Sequence, residues 1–227
     1  LERAEAGAIA LPQIDLARIA ALSVETDARI DAPVSHLSAE DAAALELMRL
    51  ALVLPALVVF PCTDDALRST LAQVGVKDVT EYRALETSDL KLVSRAPVPL
   101  EGAPDSEFVV FRGGEGLRDQ VAVVVGKPDL SKPVTVRLHS ACLTGDLFGS
   151  LKCDCGDQLR HTARFMAENG GGVLLYLDQE GRGNGLSNKI RAYRLQAQGF
   201  DTYDADEVLG FDHDQRGFAF AATMLKQ

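Results

Sequence analysis

Hydrophobic and polar positions change their period about two fifths of the way along the chain. Residues 1–97 read as mostly helical. Ile14–Leu22 is Ala/Leu-rich with Asp15 near its start, and Ser38 followed by Asp41 forms a capping-box pattern that opens a helix through about Leu54. Pro55 ends or kinks that helix. Val58–Phe60 is a candidate strand, and Asp64–Gln73 a further helix stopped near Gly75. Three prolines make Arg95–Asp105 read as a linker. Beyond it, Phe108–Arg112, Val121–Val125 and Val134–Leu138 are short β-rich runs separated by Gly, Pro and Asp. Gly156–Asn169 is helical, Gly170–Gly172 breaks it, and Val173–Asp178 is an apolar strand. Leu186–Gln198 is helical with Gly199 past its end, an acid-rich loop follows, and Gln215–Gln227 returns to helix. The pattern predicts an α/β (mixed α+β) chain: a helical N-terminal region, 1–95, then a mixed-sheet domain, 96–227.

Composition narrows the class. The 227 residues allow one large domain or two small ones. With 47% hydrophobic and 25% charged residues the chain is neither disordered nor low in complexity. A net charge of −10 argues against binding to nucleic acid or an anionic membrane through global charge. The charge is uneven: residues 1–130 carry 12 basic and 21 acidic groups, residues 131–227 carry 11 and 12. The second segment therefore suits a local site for an anion. The apolar stretch Leu50–Phe60 is too short for a membrane span and holds Pro55. No secretory signal is visible, and the opening Leu1 leads us to expect that the native N-terminus lies upstream.

Candidate chemistry concentrates in the second segment. Cys142, Cys153 and Cys155 are spaced C-x10-C-x-C, three of the four cysteines within fourteen residues. That spacing suits a metal such as zinc in a reduced cytosolic protein better than a disulfide scaffold. His139 and His161 are the nearest candidates for a fourth ligand; if neither binds, the fourth position is open, as in catalytic zinc sites. A closed structural zinc or free thiols remain alternatives. Gln179-Glu180-Gly181-Arg182-Gly183-Asn184-Gly185 follows an apolar strand directly, so its backbone N–H groups and Arg182 can face a phosphate; a flexible surface turn is the competing reading. Lys189 and Tyr193 share one helix face at i, i+4, either toward a ligand or as a solvated basic face. Asp212-His213-Asp214-Gln215-Arg216 reads, taken alone, as a helix cap.

Three ordered blocks carry a family resemblance. His139–Leu159, with H-S-x-C-L-T-G-D-x-F-G-S-L-K-C-D-C-G-x-Q-L, resembles GTP cyclohydrolase II. So do Tyr176–Tyr193, with Y-L-D-Q-E-G-R-G-N-G-L-S-N-K-I-R-A-Y, and Gln198–Arg216. The N-terminal region resembles a reduced dihydroxybutanone-phosphate synthase-like extension and is expected to be non-catalytic. The resemblance implies a zinc-dependent hydrolase that converts GTP to formate, pyrophosphate and 2,5-diamino-6-ribosylamino-4(3H)-pyrimidinone 5′-phosphate, the first step of riboflavin biosynthesis. It implies one Zn²⁺ on Cys142, Cys153 and Cys155 without a fourth protein ligand, Mg²⁺ with the triphosphate, a cytoplasmic homodimer, and no nucleic-acid or membrane partner.

Carried over residue by residue, GTP contacts fall at Arg137, Leu138, His139, Ser140, Ala141, Gln158, Glu180, Gly181, Arg182 and Thr202. Tyr193 would assist ring opening, Asp214 would accept a proton, and Arg216 would attack the α-phosphorus. A guanidinium is a poor nucleophile while protonated, so electrostatic stabilisation of the phosphoryl group is a rival role for Arg216. Two departures stand out. The family often has Glu where this chain has Ala141, and it continues with a Thr-Asn-Asn-Pro-Lys-like segment beyond the point matching Gln227. The C-terminus is therefore expected to be incomplete, and a catalytically inactive GTP-binding or regulatory homologue is the alternative function.

Overall fold

The structure, a computed structural model, describes residues 6–11, 13, 15–22, 32–113 and 119–227. Ile14, where the first helical stretch was expected to begin, lies outside them. In chain order the elements are β1 (Ala8–Ile9), α1 (Leu16–Leu22), β2 (Val34–Ser35), α2 (Ala39–Leu50), α3 (Asp65–Arg68), α4 (Val76–Ser88), β3 (Lys91–Pro97), β4 (Ser106–Arg112), β5 (Gln120–Val125), β6 (Thr135–Ser140), α5 (Cys155–Glu168), β7 (Gly172–Leu177), α6 (Leu186–Gln196), α7 (Thr202–Val208) and α8 (Ala219–Met224). A single π-turn spans Leu143–Leu147 and a short 3-10 turn Glu180–Gly183. The chain is mixed α/β, as its pattern predicts. Contacts divide it into two compact units, one running to Tyr82 and resuming at Ser187–Asp214, the other formed by Arg83–Leu186 and Gln215–Gln227.

In the first unit, α2 starts where the sequence places it. Ser38 Oγ accepts the Asp41 N–H at 3.0 Å, and the Asp41 carboxylate accepts the Ser38 N–H at 3.1 Å. The helix stops at Leu50 rather than Leu54 because Leu52 turns left-handed, with φ 57°, and because Pro55 disfavours helical backbone just before it. The buried Asn188 side chain donates to Leu52 O at 3.1 Å, which holds that turn. Ala192, Leu195 and Ala205 form a small core with Phe200, Val208 and Leu209 beside it. The acid-rich segment expected as loop holds α7. Asp201 caps it, taking the N–H groups of Tyr203 and Asp204 at 2.7 and 2.8 Å. Val58–Phe60 forms no strand, and the helix expected over Asp64–Gln73 is only the four-residue α3.

The second unit is built on a five-stranded sheet of order β3-β4-β5-β7-β6. All its pairs are antiparallel except β6–β7, which is parallel. The prolines of 95–105 do not make a linker. Residues 95–97 end strand β3, Val98 N–H donates to Ser106 O at 2.9 Å, and Leu100 bridges Ala103, so the stretch is the return of a hairpin. Pro97 is tolerated because β3 is an edge strand. Alternation along the strands splits the apolar side chains between two faces. Val109, Phe111, Ala122, Leu175 and Leu177 pack against Phe220, Ala221 and Met224 of α8. Val123, Val125 and Leu174 pack on the other face against Ala163 and Met166 of α5. The Gln227 side chain donates to Leu90 O at 2.7 Å and accepts the Leu92 N–H at 3.0 Å, fastening the end of the chain to the start of β3.

Leu175 of β7 is fully buried within this sheet. Leu175→Ala is expected to cost about 2–5 kcal/mol of stability, read by urea unfolding.

Candidate metal centre

The parallel pair β6–β7 places the chemistry. Its register ends at Ser140 opposite Leu177, and Ala141 N–H still donates to Leu177 O at 2.8 Å. Cys142 is thus the first residue free of the ladder at the carboxyl end of β6, and Gln179–Gly183 leaves the same end of β7. That end is where α/β sheets place ligands.

From Cys142 the chain makes the π-turn Leu143–Leu147 and comes back to Cys153 and to Cys155, the first residue of α5. The three sulfurs lie within 4.8 Å of one another, and Cys142 Sγ is 3.5 Å from Cys153 Sγ. Sulfurs bound tetrahedrally to one zinc at about 2.3 Å stand about 3.8 Å apart, so the spacing fits a single ion. Close backbone approach makes this possible. A Cβ on Gly145 would lie 2.8 Å from Cys153 Sγ and 3.0 Å from Cys142 Sγ, and one on Gly156 would lie 2.3 Å from Gly145 O. The donor set passes a chemical test as well. Burial first, then hydrogen bonds and like charge from Cys142 and Cys153, push the Cys155 thiol up to about 12. Without a cation Cys155 holds its proton; a divalent ion is what makes three adjacent thiolates favourable.

Neither histidine belongs to the cluster among the described residues. His139 is buried, and its Nε2 sits 3.2 and 3.3 Å from the two Asp146 oxygens. Facing a carboxylate, Nε2 is the donor. His139 stacks on Tyr176 at 5.5 Å, and its Nδ1 is buried without a partner. His161 is exposed on α5. A pocket of about 560 Å³ opens beside the sulfurs, bounded by Gly149, Leu151, Lys152 and Arg160.

Other expected site residues of this unit gather around the same sheet end. Arg137 donates to Gln158 Oε1 at 2.6 Å, and Gln158 donates to Asp154 at 2.8 Å. Arg137 Nε is buried without an acceptor. Glu180 takes the Leu143 N–H at 2.6 Å and the Gly181 N–H at 3.0 Å, tying the Gly-rich turn to the cysteine turn. Gly181 and Arg182 are both left-handed, and Gln215 N–H donates to Arg182 O at 3.1 Å. The Arg216 guanidinium lies 5.3 Å from the Phe218 ring. The run Arg137–Ala141 does not act as a block. Arg137 and His139 face the α5 side, whereas Leu138 and Ser140 alternate to the other.

Tyr193, Thr202 and Asp214 belong to the other unit. Tyr193 is half-buried on α6 with Lys189 Nζ 5.7 Å from its ring. Thr202 begins α7 and accepts from Gln196 at 3.3 Å, and Asp214 is exposed. Sequence reasoning missed Asp146 and Tyr176. The signal for Asp146 was a carboxylate one residue after Gly145, inside the Leu143–Leu147 turn.

Fold and site define an α/β protein with a candidate three-thiolate metal centre at the carboxyl ends of parallel strands. Residues 91–227 match the family described as GTP cyclohydrolase II, and the chain belongs to that family. It is 55% identical over 190 residues to a GTP cyclohydrolase-2 of Xylella fastidiosa, covering 82% of this chain and 48% of that protein. It is 47% identical over 194 residues to a GTP cyclohydrolase-2 of Azospirillum brasilense, covering 82% of this chain and 50% of that protein. A protein of Cytophaga hutchinsonii named Riboflavin biosynthesis protein RibBA is 40% identical over 161 residues, 71% of this chain and 40% of its own length. The chain thus spans about half the length of the curated relatives it matches. Among its described residues no helix is long and apolar enough to cross a membrane.

Two outcomes follow from the cluster's geometry and protonation. Gly145→Ala should abolish stoichiometric zinc uptake by driving the sulfurs apart, measured by elemental analysis. The raised Cys155 pKa means that metal must displace a proton throughout the neutral range. Zinc uptake should therefore release protons and strengthen as pH rises, which calorimetry in buffers of different ionisation enthalpy would register.

Proposed function

We propose that this protein is a zinc-dependent GTP cyclohydrolase II, releasing formate and pyrophosphate from GTP and leaving the diaminopyrimidinone phosphate that begins riboflavin biosynthesis. The observation that supports this most is the three-thiolate cluster set beside the Gly-rich turn, within a chain of that family. Zinc, when bound by Cys142, Cys153 and Cys155, supplies Lewis-acid chemistry and makes water more acidic. The chain's own residues bind and orient. Glu180 is a carboxylate, an acceptor-only group that suits the donor edge of guanine. Arg182 and the left-handed Gly181 suit phosphate oxygens. Arg137, with a buried unused Nε–H, and its partner Gln158 offer donors near the cluster, beside Leu138, His139 and Ser140 of the same strand and Ala141 just past its end. Thr202 completes the nucleotide contacts.

In this reading Arg216 acts at the α-phosphorus, Asp214 accepts a proton and Tyr193 moves one during ring opening. Mg²⁺ accompanies the triphosphate, since three phosphates exceed the cationic side chains assigned to them. The protein works as a homodimer in the cytoplasm, where a reducing environment keeps thiols available to metal. The reading is tested by formate release from GTP with zinc present. Cys153→Ser should lose zinc and formate release together; full zinc retention in that variant would overturn the ligand assignment. GTP-dependent thermal stabilisation without turnover would make the protein a nucleotide binder instead.

The two chemical stages should separate by mutation. Tyr193→Phe is expected to keep releasing pyrophosphate while formate release falls roughly 10²-fold. Arg216→Ala should lose pyrophosphate release and keep its zinc, as followed by phosphate and metal assays on one preparation.

A further inference from the structure

Asp146 stands behind the cysteine cluster, its side chain only 8% exposed. Its Oδ2 accepts the Cys142 N–H at 2.9 Å and the Tyr176 O–H at 2.8 Å, while its Oδ1 lies 3.2 Å from His139 Nε2. In return, Asp146 N–H donates to Cys142 O at 2.7 Å. The need is local. Ala141 makes the last backbone bond to β7, so the Cys142 amide lies just past the ladder, where the Asp146 carboxylate accepts it. Asp146 contributes no oxygen to the ligand cluster. A carboxylate this buried is kept there by the hydrogen bonds it accepts.

We propose that Asp146 is the positioning residue of the metal centre: by holding the Cys142 amide, the Tyr176 hydroxyl and His139 together, it sets the direction in which Cys142 presents its sulfur to Cys153 and Cys155. The proposal rests on the reading of the cluster as a metal site, and not on GTP turnover. Gly145 N–H, at 3.3 Å from Cys142 Sγ, closes the same turn from the sulfur side. Removing the carboxylate leaves the ligands in place but loosens the strand end that carries the first of them.

The test is a titration of the whole chain with Co²⁺ and Zn²⁺, following thiolate-to-cobalt absorption, with far-UV circular dichroism to monitor folding. Asp146→Ala should keep its dichroism, bind either ion about 10–100-fold more weakly, and show altered cobalt bands. Asp146→Asn should recover part of the affinity, because its amide oxygen still accepts from Cys142 and Tyr176. Asp157→Ala removes an exposed carboxylate on the first turn of α5, paired with Arg160 at 2.9 Å. It should titrate like the parent, which separates positioning from loss of negative charge. If Asp146→Ala does not fold, Tyr176→Phe decides: a changed cobalt spectrum supports the proposal and an unchanged one overturns it. Parental affinity and spectrum in a folded Asp146→Ala, or equal weakening by Asp157→Ala, would also overturn it. A parent that binds metal but does not hydrolyse GTP defeats only the cyclohydrolase reading. A parent that binds neither ion defeats both.

Discussion

The parallel pairing of β6 with β7 is the constraint on which the rest of the second unit depends. A parallel pair needs a crossover, here the π-turn and α5, and it brings the carboxyl ends of both strands to one end of the sheet. Cys142 leaves one strand there and the Gly-rich turn leaves the other. The crossover itself carries Cys153 and Cys155 back to the strand end it started from. The two apolar faces of β7, with Leu175 and Leu177 toward α8 and Leu174 toward α5, lock the register that makes this meeting possible. A one-residue slip would exchange those faces and turn His139 away from Asp146.

Electrostatics then sets what the meeting point can hold. Three adjacent thiols and a buried carboxylate concentrate acidic groups where burial already disfavours charge. A proton sits on Cys155 in one state and a divalent ion on the cluster in the other, so metal affinity and pH are linked through that sulfur. The Cys142 amide shows how little slack the design has. It falls one residue past the end of the ladder, and the Asp146 carboxylate accepts it there.

Much of this was legible in the chain, for identifiable reasons. The thiolate spacing, the Gly-rich turn after an apolar strand and the capping box over Ser38–Asp41 are local patterns whose chemistry does not depend on what packs against them. The strands β4, β5 and β7 were visible because both faces are covered and their apolar residues run nearly unbroken. What escaped was decided by tertiary partners. Strand β3 is exposed along its whole length and owes its conformation to pairing with β4. Helix α7 hides in acids whose first member, Asp201, caps the helix. Asp146 reads as a turn residue until the fold buries it under His139 and Tyr176.

The Gly-rich turn shows the same dependence at the scale of one residue. Gly181 takes a left-handed conformation at little cost, but Arg182 adopts it too, with φ 58°, which costs a non-glycine residue on the order of 1–2 kcal/mol. The compensation comes from a segment that looked, by itself, like a helix cap. Gln215 donates its N–H to Arg182 O, and Gly183 lies so near Gln215 that a Cβ would stand 3.0 Å from its carbonyl carbon. A net contribution of about 1 kcal/mol from that hydrogen bond offsets much of the strain. The next residue is Arg216. The backbone bond that holds Arg182 in its strained shape therefore also fixes where the chain delivers a second guanidinium, so two motifs distant in sequence are aligned through one carbonyl oxygen.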